Sequence, residues 1–416
     1  MITVNTTRYD KSEMEAVHAM YQGLEHLARV EGRTLAVCCT DPIYTISLVL
    51  YFRRHAGSVL LIHGETPMDA AVTMAVDADC SGLIYGDPKH YIPLNRFFEE
   101  NVLQAGICQF SSGTTGGAKL VRRTWQEVQH ELEAYNEALM TDDDPTPVIL
   151  SSVSHSYGLL SGVLSALERG NDPVIITHNN PKFALGLIRQ TPRHLVYGVP
   201  LLLQAVTGLV REPVRFHRFI SSGAPLPEAL YRKLIGMTES LLQQYGCSEA
   251  GCISLSNGIE SHDDMGYPLK HIAIEAGSHP SRPAEISVTA HGKVIRTQDL
   301  GYTAESGSLR FVSRADDVIN VSGLKVYPVE VEECISRLEG IHEVVVYRGR
   351  HPVIGELVKA SVVAASCVTP ELVRDWCLQG LPPYKVPAHV EMVSDIPRTK
   401  NGKVSRRLLE MRDNAR

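Results

Sequence analysis

The residues best suited to chemistry fall in five short segments, in the order they occur along the chain. The first is Phe110-Ser-Ser-Gly-Thr-Thr-Gly-Gly-Ala-Lys119, after an apolar run and before a helical stretch. Its glycines free the backbone to turn tightly, its hydroxyls add donors beside exposed N–H groups, and Lys119 adds a cation, the composition of a phosphate cradle. It is not the nucleotide-kinase P-loop, because GxxxxGK[ST] needs a Ser or Thr after the lysine, and Leu120 stands there. Taken alone, a Gly/Ser-rich solvent loop would read the same way. The second, Gln244-Tyr-Gly-Cys-Ser-Glu249, sets a carboxylate where it could hold a hard divalent cation through oxygen. Then follow Gln298-Asp-Leu-Gly301, Ser313-Arg-Ala-Asp-Asp-Val-Ile-Asn-Val-Ser-Gly323 and Pro397-Arg-Thr-Lys-Asn-Gly-Lys-Val-Ser-Arg406. Singly, an Asp-x-Gly is usually a turn and a basic tail a solvated one.

The elements that must carry these segments alternate. Leu35–Cys39, Val59–Ile62 and Leu83–Tyr85 are short apolar runs separated by helical patterns, and the rhythm resumes at Val148–Leu150, Pro173–Ile176, His194–Tyr197 and Arg218–Ile220. Such alternation predicts βαβ units and a largely parallel sheet. Trp125, Val128, Leu132, Tyr135 and Leu139 share one helical face, which reads as core. From about residue 270 short alternating strands predict a small antiparallel β appendage. The last hundred residues read as a small α+β unit, with helices at Val329–Leu338 and Thr369–Gln379 around strands at Glu343–Tyr347 and Leu357–Val363. The expected fold class is therefore α/β, a large N-terminal part of layered α/β subdomains followed by a C-terminal α+β domain.

Composition narrows the function classes. The chain has 416 residues, 40 Lys+Arg against 47 Asp+Glu, 44% hydrophobic and 21% charged residues, as a multi-domain globular protein would. A formal charge of −7 and the lack of a basic stripe argue against nucleic acid as a partner. No apolar run approaches membrane-span length and no export signal opens the chain, so no membrane partner and a cytoplasmic location are expected. Nine cysteines without metal-ligand spacing predict reduced thiols and no zinc site.

Together the five segments resemble the adenylate-forming superfamily, which includes acyl- and aryl-CoA synthetases, nonribosomal peptide adenylation domains and luciferases. The superfamily pattern SSGTTGxPKxV is similar to Ser111–Val121, with Ala118 for Pro, and YGxTE to Tyr245–Glu249, with Ser248 for Thr. The D-x-G turn matches at Asp299, RxDDxI with its downstream glycine at Arg314 to Gly323, and PxTxxGKxxR at Pro397 to Arg406. The resemblance implies ATP and Mg²⁺ as cofactors. It places Ser112, Gly113, Thr114, Thr115, Gly116 and Lys119 along the phosphates, and Ser222, Gly223, Ala224, Pro225, Tyr245, Gly246 and Ser248 around the adenine. It further puts Asp299 and Arg314 on the ribose, Glu249 with Thr115 on Mg²⁺, and Lys403 between the reacting carboxylate and the α-phosphate. Asp316 falls on the hinge position, so residues 1–315 would form the adenylation core, with a shortened N-terminal part, and 316–416 a mobile domain carrying Lys403. Many relatives have Lys where this chain has Asn320.

The acid is constrained more weakly. Amino-acid-activating relatives place an Asp in the segment that here reads Ser154-His-Ser-Tyr-Gly158; without it a buried ammonium would be unpaired, which disfavours α-amino acids. His155 and Tyr157 could meet the carboxylate or an aromatic ring. Tyr197, Gly198, Val199, Gly246 and Cys247 complete a lining that suits a flat, hydroxylated acid. The stretches Val4–Ser12, Ser154–Leu160, Gln243–Cys252 and Ile319–Glu333 resemble the branch of the superfamily that activates 3,4-dihydroxybenzoate in petrobactin-type siderophore assembly. That resemblance implies transfer to the phosphopantetheine thiol of an aryl carrier protein acting in trans, since no carrier domain follows residue 416. An aryl- or acyl-CoA ligase using free coenzyme A stays open, as does a non-catalytic nucleotide-binding or carrier-docking protein.

Overall fold

Every predicted parallel strand forms, and most of their residues are buried, as in sheets packed on both faces. The computed structural model describes residues 1–94, 104–111, 119–139, 144–177, 180–321, 323–351, 355–398 and 404–414. Among these, strands assemble into sheets of thirteen, six and five.

In the six-stranded sheet Thr34–Cys38, Ser58–Leu61, Gly82–Tyr85 and Gly106–Ser111 run parallel. Its edges are antiparallel, and at one of them Gly106–Ser111 pairs with Lys119–Thr124, from Gly106↔Thr124 to Ser111↔Lys119. This hairpin therefore carries the first motif between two strands. In the thirteen-stranded sheet Thr146–Ile149, His194–Gly198, Phe216–Ser221 and Thr238–Cys247 are parallel neighbours. Their C-terminal ends bring Gly198, Ser221 and Gln243 into register, and outside such ends α/β folds bind ligands.

The helices Pro42–Arg54 and Trp125–Leu139 lie in a core that takes residues from both sheets. Val128, Leu132, Tyr135 and Leu139 are buried as the helical stripe requires, while Trp125 is partly buried and donates its indole N–H to the Gly57 carbonyl at 2.8 Å. The expected antiparallel appendage is present but is not separate. Asp264–Pro268 pairs with both Gly251–Ser256 and Leu309–Arg314, so the strands beyond residue 270 extend the large sheet edge to edge. The junction turns on Gly266, at φ +72°, where a Cβ would stand 2.2 Å from the Leu255 backbone.

The C-terminal residues build the five-stranded sheet, in which Ile341–His351 and Gly355–Ala364 form a long hairpin with a hydrophobic core of its own under helices Pro328–Ser336 and Pro370–Gly380. No helix among the described residues is long and apolar enough to cross a membrane.

Candidate active site

Three of the five motif segments converge on Asp299. Its strand, Lys293–Thr303, is distorted around it: Gln298 takes φ +61° and the register shifts between Leu300 and Gly301. The Asp299 carboxylate is 11% exposed and accepts a 2.7 Å hydrogen bond from the Tyr245 hydroxyl on one oxygen. Its other oxygen, Oδ1, faces Arg314 Nε at 3.4 Å, and both atoms are buried without a hydrogen-bond partner. Arg314 Nε is also 3.4 Å from Asp316 Oδ1. Burial raises the Asp299 carboxyl above its usual range, against Arg314 and the Tyr245 hydroxyl, with Asp316 and Asp317 adding to the rise. Burial, and then Asp299, likewise push the Tyr245 phenol far up, so it stays a donor.

Tyr245 is placed by the Thr238–Cys247 strand, whose register with Gly251–Ser256 shifts between Tyr245 and Gly246. Only glycine fits at 246, since a Cβ there would meet the Gly251 carbonyl oxygen at 2.2 Å. In the following turn Cys247, Ser248 and Glu249 are half-buried, and the Glu249 carboxylate has no hydrogen-bond or ion-pair partner among the described residues. The Cys247 thiol is pushed up to about 12, by burial first, with Glu249 and Asp299 contributing. Alongside, the Phe216–Ser221 strand ends in Ser222, whose hydroxyl donates to the Gln244 carbonyl at 2.8 Å, and in Gly223, Ala224 and Pro225, which are exposed.

The remaining expected residues are placed as follows. Lys119 is exposed at the end of its strand, whereas Ser112, Gly113, Thr114, Thr115 and Gly116 lie outside the described residues, as do Ala118 and Lys403. Val404, next to Lys403, bridges to Arg398, and Arg406 ion-pairs with both Asp317 and Glu332 at 2.8 Å, which fixes the base of the tail beside Asp316. Asn320 accepts from the Gly323 N–H at 2.8 Å and closes the turn of a hairpin, a local bond that a Lys there could not make.

His155 is exposed in a turn that leads into a π-helix, Tyr157–Leu164, an element the 3.6-residue period did not reveal. Tyr157 donates to the Ile220 carbonyl at 2.8 Å. Tyr197 is fully buried, its ring 5.9 Å from that of Tyr157, with Gly198 buried and Val199 half-buried beyond it.

Sequence reasoning missed two residues that tie these segments together. Glu131 is 2% exposed, pairs with Arg123 through one oxygen and accepts the Cys252 N–H at 2.8 Å through the other. It thus joins the strand that leaves the first motif to the residues just after Glu249. The signal was available, since Glu131 falls between Val128 and Tyr135 on an apolar helix face. Gln109, two residues before Ser111, is also buried and bonded to the Ser154–Ser156 turn.

The profile of the AMP-binding enzyme family matches residues 36–278, and that of the AMP-binding enzyme C-terminal domain matches residues 330–403. The chain belongs to the AMP-binding enzymes. It is 49% identical over 414 residues to a 3,4-dihydroxybenzoate–[aryl-carrier protein] ligase of Bacillus anthracis, covering 99% of both chains. With a long-chain-fatty-acid–CoA ligase of Yersinia pestis the identity is 28%, over 94% of this chain and 78% of that one. Among solved structures, ATP-bound MatB from Rhodopseudomonas palustris superposes with a TM-score of 0.84 at 18% identity, covering 99% of this chain and 95% of that chain. The o-succinylbenzoate CoA synthetase MenE from Bacillus subtilis, in complex with its acyl-adenylate intermediate, gives 0.84 at 19%, covering 98% and 94%. At such identities the superpositions show a shared fold, that of the adenylate-forming enzymes.

The donor set suits a nucleotide in an AMP-binding enzyme. A vicinal diol brings two hydroxyl donors, and Asp299 Oδ1 is a buried acceptor that faces Arg314 but receives no hydrogen bond from the protein. For a divalent cation the fit is partial: Glu249 offers one carboxylate, and no group of three His, Cys, Asp or Glu among the described residues could hold a metal by itself. Mg²⁺ is suited to such a place, because it keeps several waters and takes its other ligands from substrate phosphates.

Proposed function

We propose that the chain activates an aromatic carboxylic acid, 3,4-dihydroxybenzoate, with ATP to give an aryl-adenylate and pyrophosphate, and then passes the aryl group to the phosphopantetheine thiol of an aryl carrier protein. The observation that carries this reading is the 49% identity, over essentially the whole length of both chains, with a ligase named for that acid and that acceptor. The Asp299–Tyr245–Arg314 cluster supports the nucleotide half of it.

In this reading Asp299 takes the ribose hydroxyls, and Tyr245 with Ser222–Pro225 flanks the adenine. Lys119 and the residues Ser112–Gly116 run along the phosphates. Glu249 would hold Mg²⁺, which supplies charge neutralisation at the phosphates. Attack of the carboxylate on the α-phosphate builds negative charge between two anions, so fixed cations and oriented donors are what lower that barrier, and Lys403 is the residue assigned to bridge the two groups. Residues 316–416 would move about Asp316 to withdraw Lys403 and admit the thiol. Nine free cysteines agree with a reducing, cytoplasmic setting. Coenzyme A presents the same pantetheine arm and is the competing acceptor.

Substrate-dependent ATP–pyrophosphate exchange over a panel of benzoates, medium-chain acids and amino acids tests the first step. Exchange should be greatest with 3,4-dihydroxybenzoate and collapse in Lys403→Ala. Equal exchange with aliphatic acids would sink the substrate assignment, and mass measurement of the thioester formed with carrier protein or coenzyme A decides the acceptor.

A further inference from the structure

Gln109 lies within the strand Gly106–Ser111 that enters the first motif, 8% exposed, where a side-chain amide without hydrogen bonds would be costly. Both ends of the amide are used. Its Nε2 donates to the Ser154 carbonyl at 2.9 Å, and its Oε1 accepts from the Ser156 hydroxyl. The two bonds hold the chain on either side of His155, through the Ser154 backbone carbonyl and the Ser156 side-chain hydroxyl. The turn is braced from within as well, by the Ser152–Ser154 hydroxyl contact at 2.8 Å and by Gly158, where a Cβ would lie 2.3 Å from the Ser152 carbonyl oxygen. On its far side the Tyr157 hydroxyl anchors it to Ile220 in the thirteen-stranded sheet. One glutamine from the six-stranded sheet therefore reaches the segment that belongs, through Tyr157, to the other sheet.

We propose that Gln109 is a positioning residue for the acid, holding the Ser154–Tyr157 segment against the strand Gly106–Ser111. This rests on the reading that the segment receives the acid. Joining two substrates rewards geometry steeply, and a displacement of about 1 Å can cost on the order of 100-fold. A glutamine is required because the site offers one acceptor and one donor. Methionine fills a similar volume with neither, and an ionised glutamate would set a lone pair against the Ser154 carbonyl.

The test is pyrophosphate exchange with KM for acid and for ATP measured separately, and ATP affinity by direct titration without acid, in Gln109→Met, Ser156→Ala and the double variant. We expect exchange efficiency for the acid to fall about 10- to 100-fold in Gln109→Met and about 3- to 10-fold in Ser156→Ala, with ATP affinity within about threefold of wild type. The double variant should be no worse than Gln109→Met, because the same bond is removed twice. Equal losses for acid and ATP, multiplicative effects in the double variant, or unchanged exchange would each overturn the proposal. Should Gln109→Met not fold, Ser156→Ala decides alone, with unchanged acid parameters as the overturning result. If wild type prefers another acid, the substrate assignment fails by itself and the comparison is made with that acid.

Discussion

Two arginine–carboxylate pairs sit near the motif segments, and they are built differently. In the Arg123–Glu131 pair both carboxylate oxygens are engaged, one by the guanidinium and the other by the Cys252 N–H, and the unpartnered atom is a donor, the buried Arg123 Nη1. Around it there is no spare room, since a Cβ at Gly251 would come within 2.2 Å of Glu131 Oε2. In the Arg314–Asp299 pair the separation is 3.4 Å, one carboxylate oxygen has no hydrogen bond, and the arginine side chain is 37% exposed. The first pair closes a structure; the second leaves an acceptor waiting. Stability and ligand affinity should therefore separate cleanly between them.

The largest effect is expected at the closed pair. Glu131→Ala strips a buried arginine of its partner and the Cys252 amide of its acceptor, a loss of about 3–5 kcal/mol in chemical unfolding. Enzyme that remains folded should keep an ATP KM within about threefold of wild type. Normal stability in this variant would break the contrast from one side.

The open pair should behave the other way. Asp299→Asn keeps an acceptor for Tyr245 but gives up the charge, and kcat/KM for ATP should fall about 10- to 100-fold, the worth of one charge-assisted hydrogen bond. Its carboxyl is raised by burial, so the folded state holds the proton more tightly than the unfolded chain does. The ionised form thus costs stability at neutral pH, and that cost grows as pH rises through the carboxyl's folded value. The variant should melt at or above the wild-type temperature. A clear drop in melting temperature with unchanged ATP kinetics would reverse the assignment.

These pairs also mark the boundary of what the sequence could yield. The α/β layering was legible because buried strands are apolar and helices have a period, and the Trp125–Leu139 stripe gave its helix within the expected bounds. Asp299 was legible only as part of an ordered set of motifs, since its environment is made by Tyr245 and Arg314, which lie 54 and 15 residues away in the chain. Gln109 and Glu131 were not singled out because the partners that give them a role, the Ser154–Ser156 turn and Cys252, are distant in sequence, although the apolar helix face around Glu131 already marked it as buried. The π-helix at Tyr157–Leu164 escaped for a different reason: its residues are nearly all apolar, so no period stands out.

Beside the closed pair, acid sharpens the comparison. His271 has both ring nitrogens buried without partners, and its ring is 5.6 Å from that of His291, which stacks on His130. Burial lowers its pKa to about 4, against the pull of Glu131. The unfolded chain binds this proton first, so stability should decline as pH falls from about 6.5 towards 4, by roughly 1–2 kcal/mol after allowing for solvent screening. His271→Gln should flatten that part of the pH profile. An unchanged profile would show that the ring is solvated in solution.

The smallest effect is expected where Glu333 and Arg337 touch His262 and Glu228. His262 Nε2 meets Glu333 at 2.6 Å, and Arg337 meets Glu228 at 2.8 Å, so helix Pro328–Ser336 and the Arg337 that follows it are tied to the α/β part by two partly exposed pairs. Burial lowers the His262 pKa, but Glu333, with Asp263 and Glu228, outweighs it and the net shift is upward. The stabilisation is present in full below the unfolded value near 6.5 and is lost as pH rises through the folded one. Exposed pairs are worth about 1 kcal/mol or less, so His262→Gln should barely move the unfolding midpoint. If residues 316–416 must swing during turnover, however, weakening this contact changes the balance between orientations even when it scarcely changes stability. The ratio of pyrophosphate exchange to thioester formation should then shift by up to about fivefold in the variant, and more at pH 6 than at pH 8, where the wild-type contact is already weaker. A ratio independent of pH in both proteins would mean that this contact persists through the whole cycle.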